Sequence, residues 1–351
     1  MSKRAVVLAE GLLGTIIGKT ANILVMYNRR LFEVVAIIDN THAGSDAGEV
    51  LGLGRLGIPV VSTIEEAIEF GPEALIVGVA TIGGVLPERC RVIIREAIKH
   101  GLEIWSGLHY FLSEDPEFSE LASRYNVRIV DVRKPPKDKL RIWSGDVLKT
   151  RCGRVLVAGT DCAVGKNVTV LELSAQLVRR GYKAGIVATG QTMILAGAHA
   201  GMVVDAIPSD FCPGIVERLI LDLDREGYNP VMVEGQASLL HPAYGQVSLA
   251  ILYGCMPDAV VLAHDPWRKN RGGMRIPMDS IEREIEAIEF LARTAKVIAI
   301  AVMGCGRERD EVIEMCDRLE KDLGLPVADP RIDPGKLAEA VIRRLHELGK
   351  I

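Results

Sequence analysis

A short loop bounded by glycines, residues 159–166, lies between an apolar stretch and a helical pattern. Gly159 and Gly165 permit positive φ angles, which allow successive backbone N–H groups to turn towards one anion. Lys166 adds a positive charge where the N-terminus of a helix already attracts negative charge. The spacing predicts a phosphate-binding P-loop. The residues expected to contact the ligand are Gly159, Thr160, Asp161, Cys162, Ala163, Val164, Gly165, Lys166, Asn167 and Val168.

Two features of this loop differ from the usual ATP-binding form. Five residues rather than four separate Gly159 from Gly165, and Asn167 stands where Ser or Thr normally ligates magnesium. The pattern Gly-Thr-Asp-x-x-Val-Gly-Lys resembles the loop of dethiobiotin synthetase. This resemblance implies one alternative function, a Mg-ATP-dependent ligase or kinase in which Lys166 stabilises the γ-phosphate and Glu234 or Asp161 helps to hold the metal.

Polar residues follow several later strands, where ligands of open α/β sheets collect. Glu234 ends a predicted strand, where P-loop proteins have an acid that holds magnesium or a water molecule. His241 could act as a general acid or base. With Lys166, these two are the candidate catalytic residues. Simpler interpretations remain open, since a helix cap, a turn or a solvated loop would use the same residue types. The candidate substrate-binding residues here are Gln191, Ser209, Asp210, Gln236, Ser238, Tyr244 and Arg268.

The N-terminal part of the chain has its own polar segments after predicted strands. Residues 11–20 follow the first strand and Asp39 ends the second, as in a dinucleotide site, but the G-x-G-x-x-G spacing is missing. His42 belongs to a polar loop, residues 39–48, that either covers a substrate or is an ordinary surface loop. Ligand binding by this part is left open.

Alternating strands and amphipathic helices position these residues and predict two parallel α/β sheets. We expect a Rossmann-like N-terminal domain, residues 1–138, followed by a P-loop NTPase-like doubly wound α/β domain, residues 139–351. A chain of 351 residues is longer than the length at which a single hydrophobic core usually stops growing. A charged, proline-bearing stretch, residues 133–139, is the predicted linker. Predicted strands lie at 5–9, 34–39, 74–79, 103–106, 127–130, 154–158, 183–188, 230–233, 259–263, 297–302 and 326–328. Predicted helices lie at 19–30, 64–70, 87–100, 117–125, 166–180, 214–225, 280–294, 308–323 and 334–348.

The composition indicates which class of ligand and which cellular compartment to expect. The net charge of -4 offers no broad basic field, so we expect a small phosphate-bearing ligand rather than nucleic acid. The seven cysteines form no C-x-x-C pair, which favours a reducing cytoplasm. No stretch approaches the ~20 apolar residues of a membrane span. A homo-oligomer is compatible with the sequence.

Together the motifs resemble, along nearly the whole chain, a bacterial and archaeal family of unknown function with a Rossmann-like domain followed by a P-loop domain. The resemblance implies an acetyl-CoA-dependent N-acetyltransferase acting on an acidic amino acid such as D-glutamate, since some members are described so. CoA phosphates would then occupy the P-loop without a magnesium ligand. A nucleotide-sensing protein without turnover is a third interpretation. The resemblance rests on Gly-Lys-Thr-Ala at Gly18, Asp-x-Thr-His-Ala-Gly at Asp39, the P-loop at Gly159, Ser-Asp-Phe at Ser209 and Glu-Gly-Gln-Ala-Ser-Leu-x-His-Pro-Ala-Tyr at Glu234.

Overall fold

The computed structural model describes residues 2–27, 31–79, 86–293 and 295–351, with the backbone alone for Lys137. The chain forms two compact units. Unit 1 contains Met1–Pro135 and Gln191–Gly197, and unit 2 contains Pro136–Gly190 and Ala198–Ile351. Among the described helices, none is both long and apolar enough to cross a lipid bilayer.

Unit 1 is built on a parallel sheet of six strands in the order β3-β2-β1-β4-β5-β6. This order is the one that defines a Rossmann-like fold, as the alternation of strands and helices predicts. The strands are β1 Lys3–Leu8, β2 Phe32–Ile38, β3 Val60–Val61, β4 Ala74–Val77, β5 Glu103–Ser106 and β6 Ile129–Asp131. The helices are α1 Lys19–Met26, α2 Ala47–Val50, α3 Ile64–Ile68, α4 Glu88–Lys99, α5 Pro116–Tyr125 and α7 Gln191–Leu195.

Unit 2 is built on a parallel sheet of seven strands in the order β13-β12-β11-β7-β10-β8-β9. Strand β7 lies between β11 and β10, where the chain changes direction across the sheet, so the loop after β7 opens at a topological switch point. The strands are β7 Arg154–Gly159, β8 Gly185–Ala188, β9 Ala200–Gly201, β10 Val231–Glu234, β11 Ala259–His264, β12 Val297–Val302 and β13 Val327–Ala328. The helices are α6 Lys166–Arg179, α8 Cys212–Arg225, α9 Gly245–Cys255, α10 Ile281–Ala292, α11 Arg309–Leu323 and α12 Pro334–Glu347.

The central strands of unit 2 are apolar along nearly their whole length because helices cover both faces of the sheet. Val155, Val157 and Val231 are completely buried, and so is every residue from Ala259 to Ala263. Each Å² of apolar surface removed from water contributes about 25 cal/mol, so the burial of these strands is a main driving force for the folding of unit 2. The strands therefore hold the loops at their carboxyl ends on a rigid base.

Most predicted elements agree with the structure to within a few residues at each end. The last residues of two predicted helices, 28–30 and 294, lie outside the described part of the chain. Helix α9 was not predicted, because its sequence is apolar nearly throughout and lacks the 3.6-residue period of an amphipathic helix. Helix α7 and the two-residue strands β3 and β9 are too short to give a periodic signal.

Arg133, which the sequence assigns to a linker, is buried within unit 1. Its Nε donates to the carbonyl of Gly107 at 3.1 Å, and its Nη2 donates to Gln191 Oε1 at 2.8 Å. Although Arg133 belongs to the stretch predicted as a linker, its guanidinium finds a partner that lies 58 positions away in the sequence. Arg133 therefore joins α7 to the rest of unit 1.

Candidate phosphate-binding site

The loop after β7 has the backbone shape of an anion-binding nest. Gly165 precedes α6 with a φ angle of 94°, and Ala163 adopts a φ angle of 52°, although it has a side chain. Such a left-handed residue costs roughly 1–2 kcal/mol, so the surrounding contacts must stabilise it. Left-handed residues in this arrangement turn neighbouring N–H groups inward. This backbone shape allows N–H groups of the loop to turn towards a bound anion.

The N-terminus of α6, directly after the loop, supplies further backbone donors. Its first N–H groups have no acceptor within the helix, and within residues 165–169, all of which are described, there is neither a side-chain cap nor an acidic residue. Lys166 is buried, and its Nζ donates to the carbonyl oxygens of Asp161 at 2.6 Å and Ala237 at 3.2 Å. A Cβ on Gly159 would lie 2.7 Å from this Nζ, so glycine leaves the space through which the lysine passes. This arrangement favours a phosphate group.

Asn167 and Glu234 form a direct hydrogen bond at the edge of the loop. Asn167 Nδ2 donates to Glu234 Oε1 at 3.1 Å. The second carboxylate oxygen, Oε2, accepts from the backbone N–H groups of Thr189 at 2.8 Å and Gly190 at 3.0 Å. Glu234 is buried at the end of β10, as its position in the sequence predicts. The P-loop and the strand-ending acid are thus joined through side chains.

Asp161 is completely buried and anchors the loop that follows β11. Its Oδ2 accepts from Arg268 Nη1 at 3.0 Å and from the backbone of Gly272 at 2.7 Å. Burial raises the pKa of this carboxyl, but the N–H groups of Gly272 and Cys162 and the charge of Arg268 lower it by more, and the pKa lies below its usual range. Asp161 therefore stays ionised and stabilises the loop from within.

Two arginines from the loop after β11 bind carbonyl groups of the P-loop. Arg268, which the sequence predicts to bind substrate, donates to the carbonyl oxygens of Cys162 at 2.6 Å and Ala163 at 3.1 Å. Arg271 is fully buried and donates to the carbonyl of Thr160 at 3.1 Å. Arg271 is not among the predicted site residues, although the basic cluster that follows Arg268 indicates either a site for a carboxylate or second phosphate or a solvated loop. Both arginines hold the loop backbone in shape.

His241 is completely buried beside Asp161, with 3.4 Å between its Nε2 and Asp161 Oδ1. Its Nδ1 accepts from the backbone N–H of Ala243 at 3.2 Å, so the neutral ring carries its proton on Nε2, which faces the carboxylate. Burial lowers the pKa of His241, and the charges of Arg271 and Lys166 lower it further against the opposing effect of Asp161. His241 is therefore neutral at pH 7.

Among the described residues, one group of three side chains has the composition of a metal site. Asp161, Cys162 and His241 offer ligand atoms that all lie within 4.8 Å of one another. Aspartate, cysteine and histidine together would suit zinc. However, Arg268 already binds Asp161, and the positive charges that lower the pKa of His241 would also repel a cation. The local charges favour an anion instead.

A buried polar network lies behind the P-loop in unit 2. Ser238, a predicted substrate residue, donates from Oγ to Glu284 Oε1 at 2.7 Å. Glu284 is fully buried on α10, and burial raises its pKa to about 7, although Ser238 and Arg271 act to lower it. Glu284 lies 46 positions from Ser238 in the chain, so no local pattern identifies it.

The remaining predicted residues occupy different surroundings. Gln236 Nε2 donates to Thr189 Oγ1 at 3.0 Å, and Thr189 is one of the residues that bind Glu234. Tyr244 is exposed and stacks on His241, with 4.7 Å between the ring centroids.

Ser209 and Asp210 are exposed in a short 3-10 helix before α8, and neither side chain caps the 3-10 helix or α8. Gln191 belongs to unit 1, where it accepts from Arg133 as described above.

In unit 1, the acid that ends β2 binds its own neighbouring loops. Asp39 accepts from the backbone N–H of Leu13 at 3.0 Å and from that of Thr41 at 2.9 Å. His42 Nδ1 lies 3.4 Å from Asp39 Oδ1. A dinucleotide site would use such an acid for ribose hydroxyls, whereas Asp39 uses both oxygens for backbone donors. The acid has a structural role at the end of β2.

Comparison with known proteins identifies relatives of both units. Residues 40–135 match a domain of unknown function described as the DUF1611_N Rossmann-like domain, and residues 141–338 match the DUF1611_C P-loop domain. A protein from Tritonibacter scottomollicae, named D-glutamate N-acetyltransferase, is 34% identical over 285 residues, which cover 80% of this chain and 84% of that protein. A protein of the same name from a Pseudoalteromonas species is 34% identical over 276 residues, which cover 77% and 81%.

A solved structure is similar along nearly the whole chain. It is a DUF1611 family protein from Anabaena variabilis, with a TM-score of 0.90 and 31% sequence identity, and the match covers 97% of this chain and 100% of that one. The two sheets, the P-loop and the family matches agree with the resemblance that the motifs indicate. The chain belongs to the DUF1611 family, with its Rossmann-like N-terminal domain and its P-loop C-terminal domain.

Proposed function

We propose that this protein is an N-acetyltransferase that transfers an acetyl group from acetyl-CoA to the amine of an acidic amino acid such as D-glutamate. The observation that carries the proposal is the uncapped N-terminus of α6 with Lys166 beside it. CoA carries a pyrophosphate and a ribose phosphate, and such a site favours either group. Two relatives at 34% identity bear the name of this activity, which supports the choice of reaction and substrate class.

The reaction requires a base and donors for a developing oxyanion. The amine nitrogen attacks the thioester carbonyl carbon, the C–S bond breaks, the CoA thiolate leaves, and the amine loses a proton. Glu234 and His241 are the two candidate bases, and the amide of Gln236 is a candidate donor. Glu234 receives at least three hydrogen bonds from protein donors, whereas the Nδ1 lone pair of His241 receives one, at 3.2 Å, from Ala243. Donors to a carboxylate lower its basicity, so Glu234 is a weak base, whereas His241 has to release only the N–H group of Ala243 to accept a proton at Nδ1. This comparison favours His241.

The test incubates purified full-length protein with acetyl-CoA and each of D- and L-glutamate, and separately with Mg-ATP and the same amino acids. Free thiol is followed in the first arm and free phosphate in the second. Because Cys305 is exposed, a blank without amino acid is subtracted from every thiol measurement. Thiol release that depends on the amino acid supports the proposal. Phosphate release without thiol release, or nucleotide binding without either, contradicts it.

A matched pair of lysine variants links the activity to the loop. Lys166→Ala removes the charge at the N-terminus of α6, so we expect loss of CoA binding and of thiol release. Lys149→Ala is the control, because that side chain is 80% exposed and pairs with Asp146 outside the loop. A thermal melting curve of each variant shows whether it is folded. Unchanged CoA affinity in folded Lys166→Ala would contradict the proposed role of the loop.

A further inference from the structure

We propose that the P-loop of this protein binds phosphate groups without a divalent metal, and that Asn167 is the residue responsible. The inference rests on the phosphate role proposed above but not on the acetyl transfer. P-loop nucleotide sites hold Mg²⁺ through a Ser or Thr hydroxyl at the start of the helix and an acid that ends a neighbouring strand.

The two residues that would share the metal bind each other instead. Asn167 stands in the hydroxyl position, and its Nδ2 donates to Glu234 Oε1 at 3.1 Å. The amide N–H group that faces Glu234 is a donor and cannot ligate a cation, and turning the amide would place its partly negative oxygen against the carboxylate oxygen. The Asn167 amide therefore occupies an oxygen of Glu234 that a metal shared by the two residues would need.

The other oxygen of Glu234 is also in use. Oε2 accepts from the N–H groups of Thr189 and Gly190, and the Thr189 hydroxyl donates to the Glu234 carbonyl at 2.8 Å. An ionised carboxylate has about four lone-pair sites, and protein donors occupy at least three of them here. Because Glu234 is buried, a metal that displaced these donors would leave them without water as a replacement partner.

The second acid, Asp161 of the P-loop, is committed through one of its two oxygens. Asp161 Oδ2 accepts from Arg268 and Gly272, and its Oδ1 faces His241 Nε2. The residues present therefore do not fit a magnesium ion held as in ATP-dependent P-loop enzymes. Lys166, the N–H groups of α6 and the loop backbone remain to balance the charge of a phosphate. This charge pattern suits the diphosphate of a CoA-type ligand, whose phosphates are not transferred.

The experiment measures binding of CoA and of ADP to the full-length protein by calorimetry, in EDTA and in excess Mg²⁺. For the wild type, we expect the affinity for either probe to change by less than about threefold between the two conditions. Tightening by about tenfold or more in Mg²⁺ would overturn the proposal. Failure of both probes to bind in either condition would overturn it together with the phosphate role of the loop.

Two substitutions at one position separate a metal ligand from a lost hydrogen bond. Asn167→Thr restores the hydroxyl and frees Glu234 Oε1, so we expect ADP affinity to become at least about tenfold tighter in Mg²⁺ than in EDTA. Asn167→Ala frees the same oxygen without adding a ligand, and we expect it to gain little dependence on Mg²⁺. If folded Asn167→Thr gains no such dependence, Asn167 is not the determining residue. Metal-independent CoA binding without acetyl transfer would refute the proposed function and leave this inference standing.

Discussion

The guanidinium of Arg268 and the carboxylate of Asp161 form an ion pair, with 3.0 Å between Nη1 and Oδ2. Arg268 also holds the carbonyl oxygens of Cys162 and Ala163, so one side chain stabilises the strained part of the P-loop. Pre-organised loops bind ligands more tightly because less ordering is required on binding. Arg268 therefore acts on phosphate binding through the shape of the loop.

Arg268→Ala is expected to weaken CoA binding by about tenfold or more, since hydrogen bonds to charged groups contribute roughly 1.5–3 kcal/mol each. Arg268→Lys keeps the charge but loses the planar fork, and we expect an intermediate affinity. Arg283→Ala is the control, because that side chain is 70% exposed on α10. Calorimetry of the folded variants measures the effect. Equal affinities of wild type and Arg268→Ala would refute this role.

Gly159→Ala tests the path of the lysine. An added Cβ would lie 2.7 Å from Lys166 Nζ and 2.9 Å from its Cδ, so the side chain must move away from its two carbonyl partners. We expect CoA affinity to fall by about tenfold or more. Gly335→Ala is the control, since its new Cβ would approach no atom closer than 3.3 Å. If both variants bind CoA equally well, the position of the Lys166 side chain does not depend on the missing Cβ of Gly159.

The free energy of unfolding should depend on pH through Glu284. Burial raises its pKa from the ordinary 4.5 to about 7, so between these values the folded protein binds more protons than the unfolded chain. The contribution of Glu284 to the free energy of unfolding is therefore complete below about pH 4.5. It decreases as the pH rises to about 7, by up to about 3 kcal/mol. Glu284→Gln keeps the size and an acceptor for Ser238, and urea unfolding over this range should show a smaller decline. The same decline in both proteins would show that Glu284 keeps an ordinary pKa.

His241→Gln tests the favoured base. The neutral ring can accept a proton at pH 7, so we expect kcat to fall by about 100-fold or more in the variant while CoA affinity changes little. The decline of kcat on the acid side should also disappear, because protonation of His241 no longer occurs. His100→Gln is the matched control, because that histidine is exposed at the end of α4. Loss of activity in Glu234→Gln but not in His241→Gln would assign the base to Glu234.

Sequence patterns predicted the parts of the protein that depend on contiguous residues. The P-loop, the strand before it and α6 form one continuous segment, so spacing and residue type were sufficient. Helix α4 and helix α11 were predicted from their periodicity. Helix α9 was not, because a helix that is apolar on nearly every side has no period that distinguishes it from a buried strand.

The sequence by itself therefore determined the fold class of the two sheets and the place of the P-loop, because both follow from local patterns. Only the tertiary structure decided how the side chains around that site are used. Asn167 meets Glu234 across 67 residues of sequence, and Arg271 meets Thr160 across 111. Such pairs depend on which strands are neighbours and on which loops meet at their ends. That order is a property of the packed sheet and is absent from any single segment of the chain.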